Sequence, residues 1–117
     1  MKVAIVGSRD YPRLDWVWDF VTKLAARRPD TVIISGGARG VDTVAAVAAR
    51  AAGLHVIELI PEWERLGRYL APFARNSQIV DEADAVVAFW DQESKGTKDT
   101  IDKALAAGKK VQVILSR

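Results

Sequence analysis

Three short segments concentrate the polar chemistry of this 117-residue chain. They are Gly7-Ser8-Arg9-Asp10, Ser35-Gly36-Gly37-Ala38-Arg39-Gly40-Val41-Asp42, and the stretch from Asp91 through Lys95-Gly96-Thr97-Lys98. Each combines glycine, which lets a ligand approach the backbone, with hydroxyl or cationic side chains. The second and third lead into helix-period sequence. The first N–H groups of such helices lack intrahelical acceptors, and the positive dipole end favours an anion. Arg9, Arg39, Lys95 and Lys98 add positive charge nearby. The chemistry these residues suit is phosphate recognition. Taken singly, each loop is equally well explained as turn chemistry, with Asp42 or Thr97 serving only to cap a helix. Neither glycine segment has the Walker A spacing, and the first lacks the dinucleotide fingerprint, which disfavours an ordinary P-loop ATPase or an NAD dehydrogenase.

These loops need elements to hold them. Short β-branched runs at Val3–Val6, Val32–Ile34, Val56–Leu59, Ala85–Phe89 and Val111–Leu115 predict five strands. Between them, Leu14, Val17, Val21, Leu24 and Ala25 form one helical stripe, and Val41, Val44, Ala45, Ala48 and Ala52 another. Phe73, Asn76, Val80 and Ala83 make a weaker stripe. Ile101, Ala104 and Leu105 make the last, ending at Gly108. Strand–helix alternation predicts an α/β, Rossmann-like three-layer fold with a mainly parallel sheet. Strands one, two and four are uninterrupted apolar runs, as interior strands require. Glu58 and Gln112 interrupt the third and fifth, which suits edges. The order 3-2-1-4-5 satisfies both conditions. It sets the topological switch between strands one and four, where open α/β sheets bind ligands. All three loops then meet at one end of the sheet, and that convergence favours a binding site over three independent turns.

Composition narrows the chemistry further. With no cysteine there is no thiolate nucleophile and no Cys-type zinc site, and a single histidine, His55, leaves no His-rich metal site. No metal or cofactor is expected. Residues are 50% hydrophobic and 27% charged, the balance of a packed globule rather than a disordered chain. A net charge of +2 does not indicate a broad duplex-DNA surface. No apolar run approaches a membrane span, and strand-like sequence from Lys2 takes the place of a signal peptide. The expectation is one domain over residues 1–117, cytoplasmic and without membrane contact, with no room for a separate effector domain. Trp16 and Phe20 widen the apolar face of the first helix, which suggests a homodimer or higher homo-oligomer.

The loops together resemble those of the SMF/DprA–LOG (SLOG) superfamily, in particular its small stand-alone YspA-like branch, over nearly the whole chain. Gly7-Ser8-Arg9 is similar to its opening element, and Ser35 to Asp42 to its Ser-Gly-Gly-Ala-x-Gly-hydrophobic-Asp element. Pro61 with Trp63, Arg75-Asn76, and Phe89-Trp90-Asp91 followed by Ser94-Lys95-Gly96-Thr97 resemble the remaining motifs. One departure is visible. Ala71-Pro72-Phe73-Ala74-Arg75-Asn76 lacks the usual glycine and carries one extra residue. The resemblance implies a single nucleotide-binding domain whose ligand is held by Gly7, Ser8, Arg9, Ser35, Gly36, Gly37, Ala38, Arg39, Gly40, Asp42, Trp63, Arg75, Asn76, Asp91, Lys95, Gly96, Thr97 and Thr100.

Relatives implied by that resemblance include phosphoribohydrolases, single-strand DNA binders and nucleotide sensors, so fold does not settle function. The hydrolase pattern Pro-Gly-Gly-x-Gly-Thr-x-x-Glu ends in a glutamate that assists glycosidic cleavage. Here Thr100 occupies that place, and Glu93-Ser94 stand near the double glycine. Asp10, Asp42 and Asp91 are substitute carboxylates, each with a cheaper reading as a turn former or helix-end charge. A non-catalytic sensor or carrier of a nucleotide or nucleotide-derived molecule is therefore the leading expectation. A nucleoside-monophosphate phosphoribohydrolase (an N-glycosidase) is one alternative. DprA-like single-stranded DNA binding is the other, through Trp63, Arg65, Arg68 and Tyr69, although Glu62 and Glu64 interrupt that basic run.

Overall fold

Alternating apolar side chains along β1 (Lys2–Gly7) and β4 (Ala85–Trp90) enter two separate cores, one on each face of the sheet. The computed structural model describes residues 1–116 and adds α1 (Leu14–Arg27), β2 (Val32–Ser35), α2 (Val41–Ala51) and β3 (His55–Glu58). Then follow α3 (Trp63–Glu82), α4 (Lys95–Ala106) and β5 (Lys110–Leu115). All strand pairings are parallel and the order is β3-β2-β1-β4-β5, as the apolar runs predict. The edge strands are the exposed ones, because helices cover both faces of the centre alone.

On the α1–α2 side, Val3, Ile5, Ile33, Val87 and Phe89 meet Val17, Val21, Val41 and Ala45. Phe89 is fully buried and takes the ring edges of Tyr11 and Phe20, at centroid distances of 5.6 and 5.8 Å. On the other side, Ala4, Val6, Ile34, Val86 and Ala88 pack against Ile79, Val80, Ile101 and Ala104. The four small residues Ala45, Ala46, Ala48 and Ala49 are all buried along α2, which lets that helix lie close to its neighbours. Register pairs Gly7 with Phe89, so β1 and β4 end together and open the crevice between their following loops.

Several expectations change. The helix expected from Phe73 begins at Trp63 and breaks at Gly67, where φ is 78°. Its sheet-facing side is centred on Asn76, Ile79, Val80 and Ala83. Phe73 falls on the flank, 45% exposed beneath the Lys103 ammonium. Ala52 lies beyond α2, and Leu105 faces solvent. Trp16 and Phe20 are half-buried against the chain's own core, so they no longer argue for self-association. Trp18, which follows the buried Val17 and points away from the core, is the exposed aromatic of α1. His55 begins β3 at the sheet edge, exposed and away from the switch point. Among the described residues, no helix is long and apolar enough to cross a membrane.

Candidate functional site

A cleft of about 430 Å³ opens beyond the C-terminal ends of β1 and β4. Of the residues singled out in the sequence, Gly7, Arg9, Ala38, Asp42, Arg75, Asn76, Asp91, Gly96, Thr97 and Thr100 line it. Helical geometry sorts the third loop. Gly96, Thr97 and Thr100 share the face of α4 that looks into the cleft, whereas Lys95 lies outside the lining and Lys98 pairs with Asp102 at 2.7 Å. Trp63 also lies outside, 46% exposed. The indole N–H of Trp90 is held by the Ser94 carbonyl at 3.0 Å.

Ser8, Ser35, Gly36, Gly37 and Gly40 stand behind the lining and shape it. Gly40 has φ of 81°, and a Cβ there would lie 2.4 Å from the Arg9 carbonyl oxygen. Only glycine lets the first and second loops touch backbone to backbone. At Gly36 the demand is for space. A Cβ would come 2.6 Å from Arg75 Nη1 and 2.8 Å from Asp42 Oδ2. Ser35 Oγ donates to the Asp42 carbonyl and accepts from the Gly37 amide, fixing the turn. Ser8 Oγ accepts from the Asp91 amide at 3.2 Å and joins the first loop to the third. Arg39 sits at the exposed rim, 4.0 Å from Asp10, a distance and exposure at which an ion pair contributes little.

Arg75 and Asn76 bridge the remaining gap. Arg75 Nη1 donates to the Gly36 carbonyl, and its Nε donates to Asn76 Oδ1 at 3.1 Å. Asn76 Nδ2 donates to the Gly96 carbonyl at 3.2 Å and to Asp99 Oδ2 at 3.1 Å. Both amide hydrogens of this buried Asn76 are thus used in fixing the first turn of α4 to α3, so it orients the cleft wall. The shifted Pro72-to-Asn76 spacing does not keep Arg75 from the cleft.

The two ends of the site treat their carboxylates differently. Asp42 is 5% exposed, and burial pushes its carboxyl up to about 6. The Arg75 guanidinium, the amides of Ala38 and Gly7, and Arg9 oppose that rise. Burial also lowers Arg75, with Asp42 opposing and Arg9 reinforcing the change. Asp91 is held below the ordinary carboxylate range. Slight burial acts upward, but the amides of Ser94 and Glu93 and the Ser8 hydroxyl outweigh it. Gln92, at φ of 68°, makes the turn that lets Asp91 Oδ1 accept from both amides at 2.9 Å. This local strain sits at the cleft rim. Ser94 caps α4, its Oγ accepting from the Thr97 amide and hydroxyl.

Sequence reasoning did not name Val6, Pro72, Ile79, Glu93 and Ser94 as ligand-holding residues, and it named Asp10 only as a substitute carboxylate. Ile79 lies one helical step from Asn76 and was readable from that periodicity. Pro72 and Glu93 left no such signal, because chain folding alone brings them to the cleft. The cleft therefore offers a partly apolar floor at Val6, Ile79 and Pro72, two guanidiniums, the Gly96 N–H at the start of α4, and several carboxylates. Thr100, in the position of the hydrolase glutamate, donates its hydroxyl to the Gly96 carbonyl at 3.2 Å.

Comparison with known proteins agrees with this architecture. The model of the family described as "YspA, cpYpsA-related SLOG family" matches residues 1–66. Similar solved structures include DNA processing protein A (DprA) from Streptococcus pneumoniae, 26% identical with a TM-score of 0.81, the match covering 96% of this chain and 49% of that one. DprA from Helicobacter pylori, whose structure concerns single-stranded DNA binding, is 23% identical with a TM-score of 0.77, covering 97% and 64%. TM1055, a structural-genomics target, is 24% identical with a TM-score of 0.72, covering 94% and 71%. The chain thus spans about half the length of the first and under two thirds of the second. No curated protein matches the sequence.

Proposed function

We propose that this chain, which belongs to the YspA, cpYpsA-related SLOG family, binds a phosphate-bearing nucleotide or nucleotide derivative in the cleft and does not cleave it. The observation carrying this reading is that three loops, tied together through Ser8, Arg75 and Asn76, bring Arg9, Arg75 and the α4 first turn to one cleft. Phosphate would lie against the guanidiniums and the Gly96 amide at the start of α4, with the flat base over Val6, Ile79 and Pro72. Two features support binding without cleavage: Thr100 stands where the hydrolase pattern has a glutamate, and backbone amides engage Asp91. The protein is then a sensor or carrier.

Mass spectrometry of small molecules released from the purified protein would identify the ligand class, and equilibrium binding across a nucleotide panel would measure it. Arg9 is exposed and, among the described residues, holds no ion pair. Arg9→Ala should therefore leave the melting temperature unchanged and weaken binding by about 1.5–3 kcal/mol, the worth of a hydrogen bond to a charged group. Unchanged affinity in the folded variant would remove Arg9 from the site. Chromatography after prolonged incubation should show intact nucleotide, and released base would replace this reading with the hydrolase.

Single-stranded DNA binding is the second reading. It is motivated by the DprA neighbours and by exposed Trp63 and Tyr69 beside Arg65 and Arg68 on the first half of α3. It requires salt-sensitive retardation of an oligonucleotide, and no shift at low salt dismisses it.

A further inference from the structure

Asp42 presents a problem for any anion entering the cleft. Its carboxyl is almost fully enclosed, lines the cleft, and lies beside the very guanidinium that an anion would seek. Arg75 Nη1 and Asp42 Oδ2 stand 2.6 and 2.8 Å from one point beside Gly36. Asp42 Oδ2 accepts one long hydrogen bond, 3.3 Å from the Ala38 amide. An anion seated against Arg75 and Arg9 would therefore share their charge with a carboxylate already present.

Among the described residues, the charged groups around Asp42 are few. Arg75 faces it from α3 and Arg9 from the loop after β1, with the Gly7 and Ala38 amides completing the set. Asp10, Asp91 and Glu93 line the same cleft from other loops. Behind Asp42, Arg50 and Glu58 line a second, small cavity, where they pair with each other at 2.7 Å. Among the described residues, only Arg75 and Arg9 offset the Asp42 charge on the cleft side, and both are the groups an anion would engage.

Two outcomes compete. If Asp42 stays ionised, an entering anion meets a like charge that is itself shut off from water, which disfavours the pair. If it takes up a proton, a group that titrates near 6 must be protonated at neutral pH, at a cost of about tenfold in binding. The second cost is the smaller. We propose that an anionic group binds this cleft together with one proton, which Asp42 accepts. Asp42 thereby turns from a hydrogen-bond acceptor into a donor and selects for anionic over neutral ligands. The proton comes from solvent, and no other bond changes. This inference rests on the reading of the cleft as a phosphate site.

The test uses the full chain and AMP, GMP, CMP and UMP as probes, with inorganic sulfate as an anion whose charge does not change between pH 5 and 8. The carboxyl carbon resonance of Asp42 in ¹³C-labelled protein is followed through a pH titration, free and saturated with whichever probe binds. The expected result is a titration midpoint displaced upward in the complex. In parallel, wild-type affinity should fall relative to Asp42→Asn as pH rises from 6 to 8, with a limiting slope of about tenfold per pH unit. Taking the difference between the two proteins cancels the titration of the probe's own phosphate. If Asp42→Asn does not fold, the wild-type resonance still decides. Binding with an unmoved Asp42 midpoint overturns the proton coupling and leaves the phosphate site standing. No binding of any probe at any pH overturns both.

Discussion

The loop before α2 and the loop before α4 look alike in sequence, each a glycine-bearing turn feeding a helix, yet the fold uses them in opposite ways. In the first, glycine is required by the protein itself. Gly40 meets the Arg9 backbone and Gly36 is wedged between Arg75 and Asp42. Its helix start has no side-chain cap, and its carboxylate is buried and raised. In the second, a Cβ on Gly96 would meet nothing within 4 Å. Its helix is capped by Ser94, and its carboxylate is bound by amides and lowered. Glycine in a phosphate-type motif thus has two distinct causes. One is packing of the chain on itself. The other leaves open space beside the backbone at the edge of the cleft.

Substitutions can break this contrast. The largest effect is expected from Gly40→Ala, which combines a positive φ with a backbone clash. It should destabilise by about 3 kcal/mol or more, read as a lowered chemical-denaturation midpoint. Next comes pH. Because folding raises the Asp42 carboxyl, the folded state binds more protons than the unfolded state between the ordinary 3.8 and about 6. Stability contributed by protonated Asp42 is complete below that window and is lost as pH rises through it, by on the order of 2–3 kcal/mol. Asp91 runs the other way, since its contribution is present above the ordinary carboxylate value and is lost as acid protonates it. Denaturation midpoints of wild type should decline from pH 4 towards 6, and those of Asp42→Asn should not. An identical slope in both would show that Asp42 is not the group responsible.

Smaller effects sharpen the other half. Ser94→Ala removes the cap of α4 and should cost about 1 kcal/mol by thermal melting. Gly96→Ala should leave stability within about 1 kcal/mol, with a gain favoured by helix propensity. The same change should weaken nucleotide binding by about tenfold, because the new methyl occupies space next to the ligand. A stable Gly96→Ala that binds as wild type would mean that the open space at Gly96 is not the ligand's.

Legibility from sequence followed the physical range of each interaction. Strand order was readable because burial on two faces imposes uninterrupted apolar runs, while Glu58 and Gln112 are tolerated only at edges. The C-terminal stop of α4 was readable because Gly108 adopts φ of 72° there. The start of α3 was not, because Gly67 and Pro72 disguise a helix that packing on the sheet sustains. Within the site, the three loops were identified by their own residues. Which side chains enter the cleft depended on helical phase, admitting Thr97 and Thr100 and turning Lys95 away.

The sequence by itself determined the parallel α/β sheet, its strand order and the meeting of three loops at one end, since these follow from local periodicity and burial. Tertiary structure alone decided that Gly36 must leave room for both Arg75 and Asp42, that Asn76 serves the wall of the cleft, and that Asp42 and Asp91 carry opposite shifts. The reason is distance along the chain. Desolvation and hydrogen bonding at a carboxylate are set by groups such as Arg75 and Ser8, which lie tens of residues away in sequence and come together only when the sheet has closed.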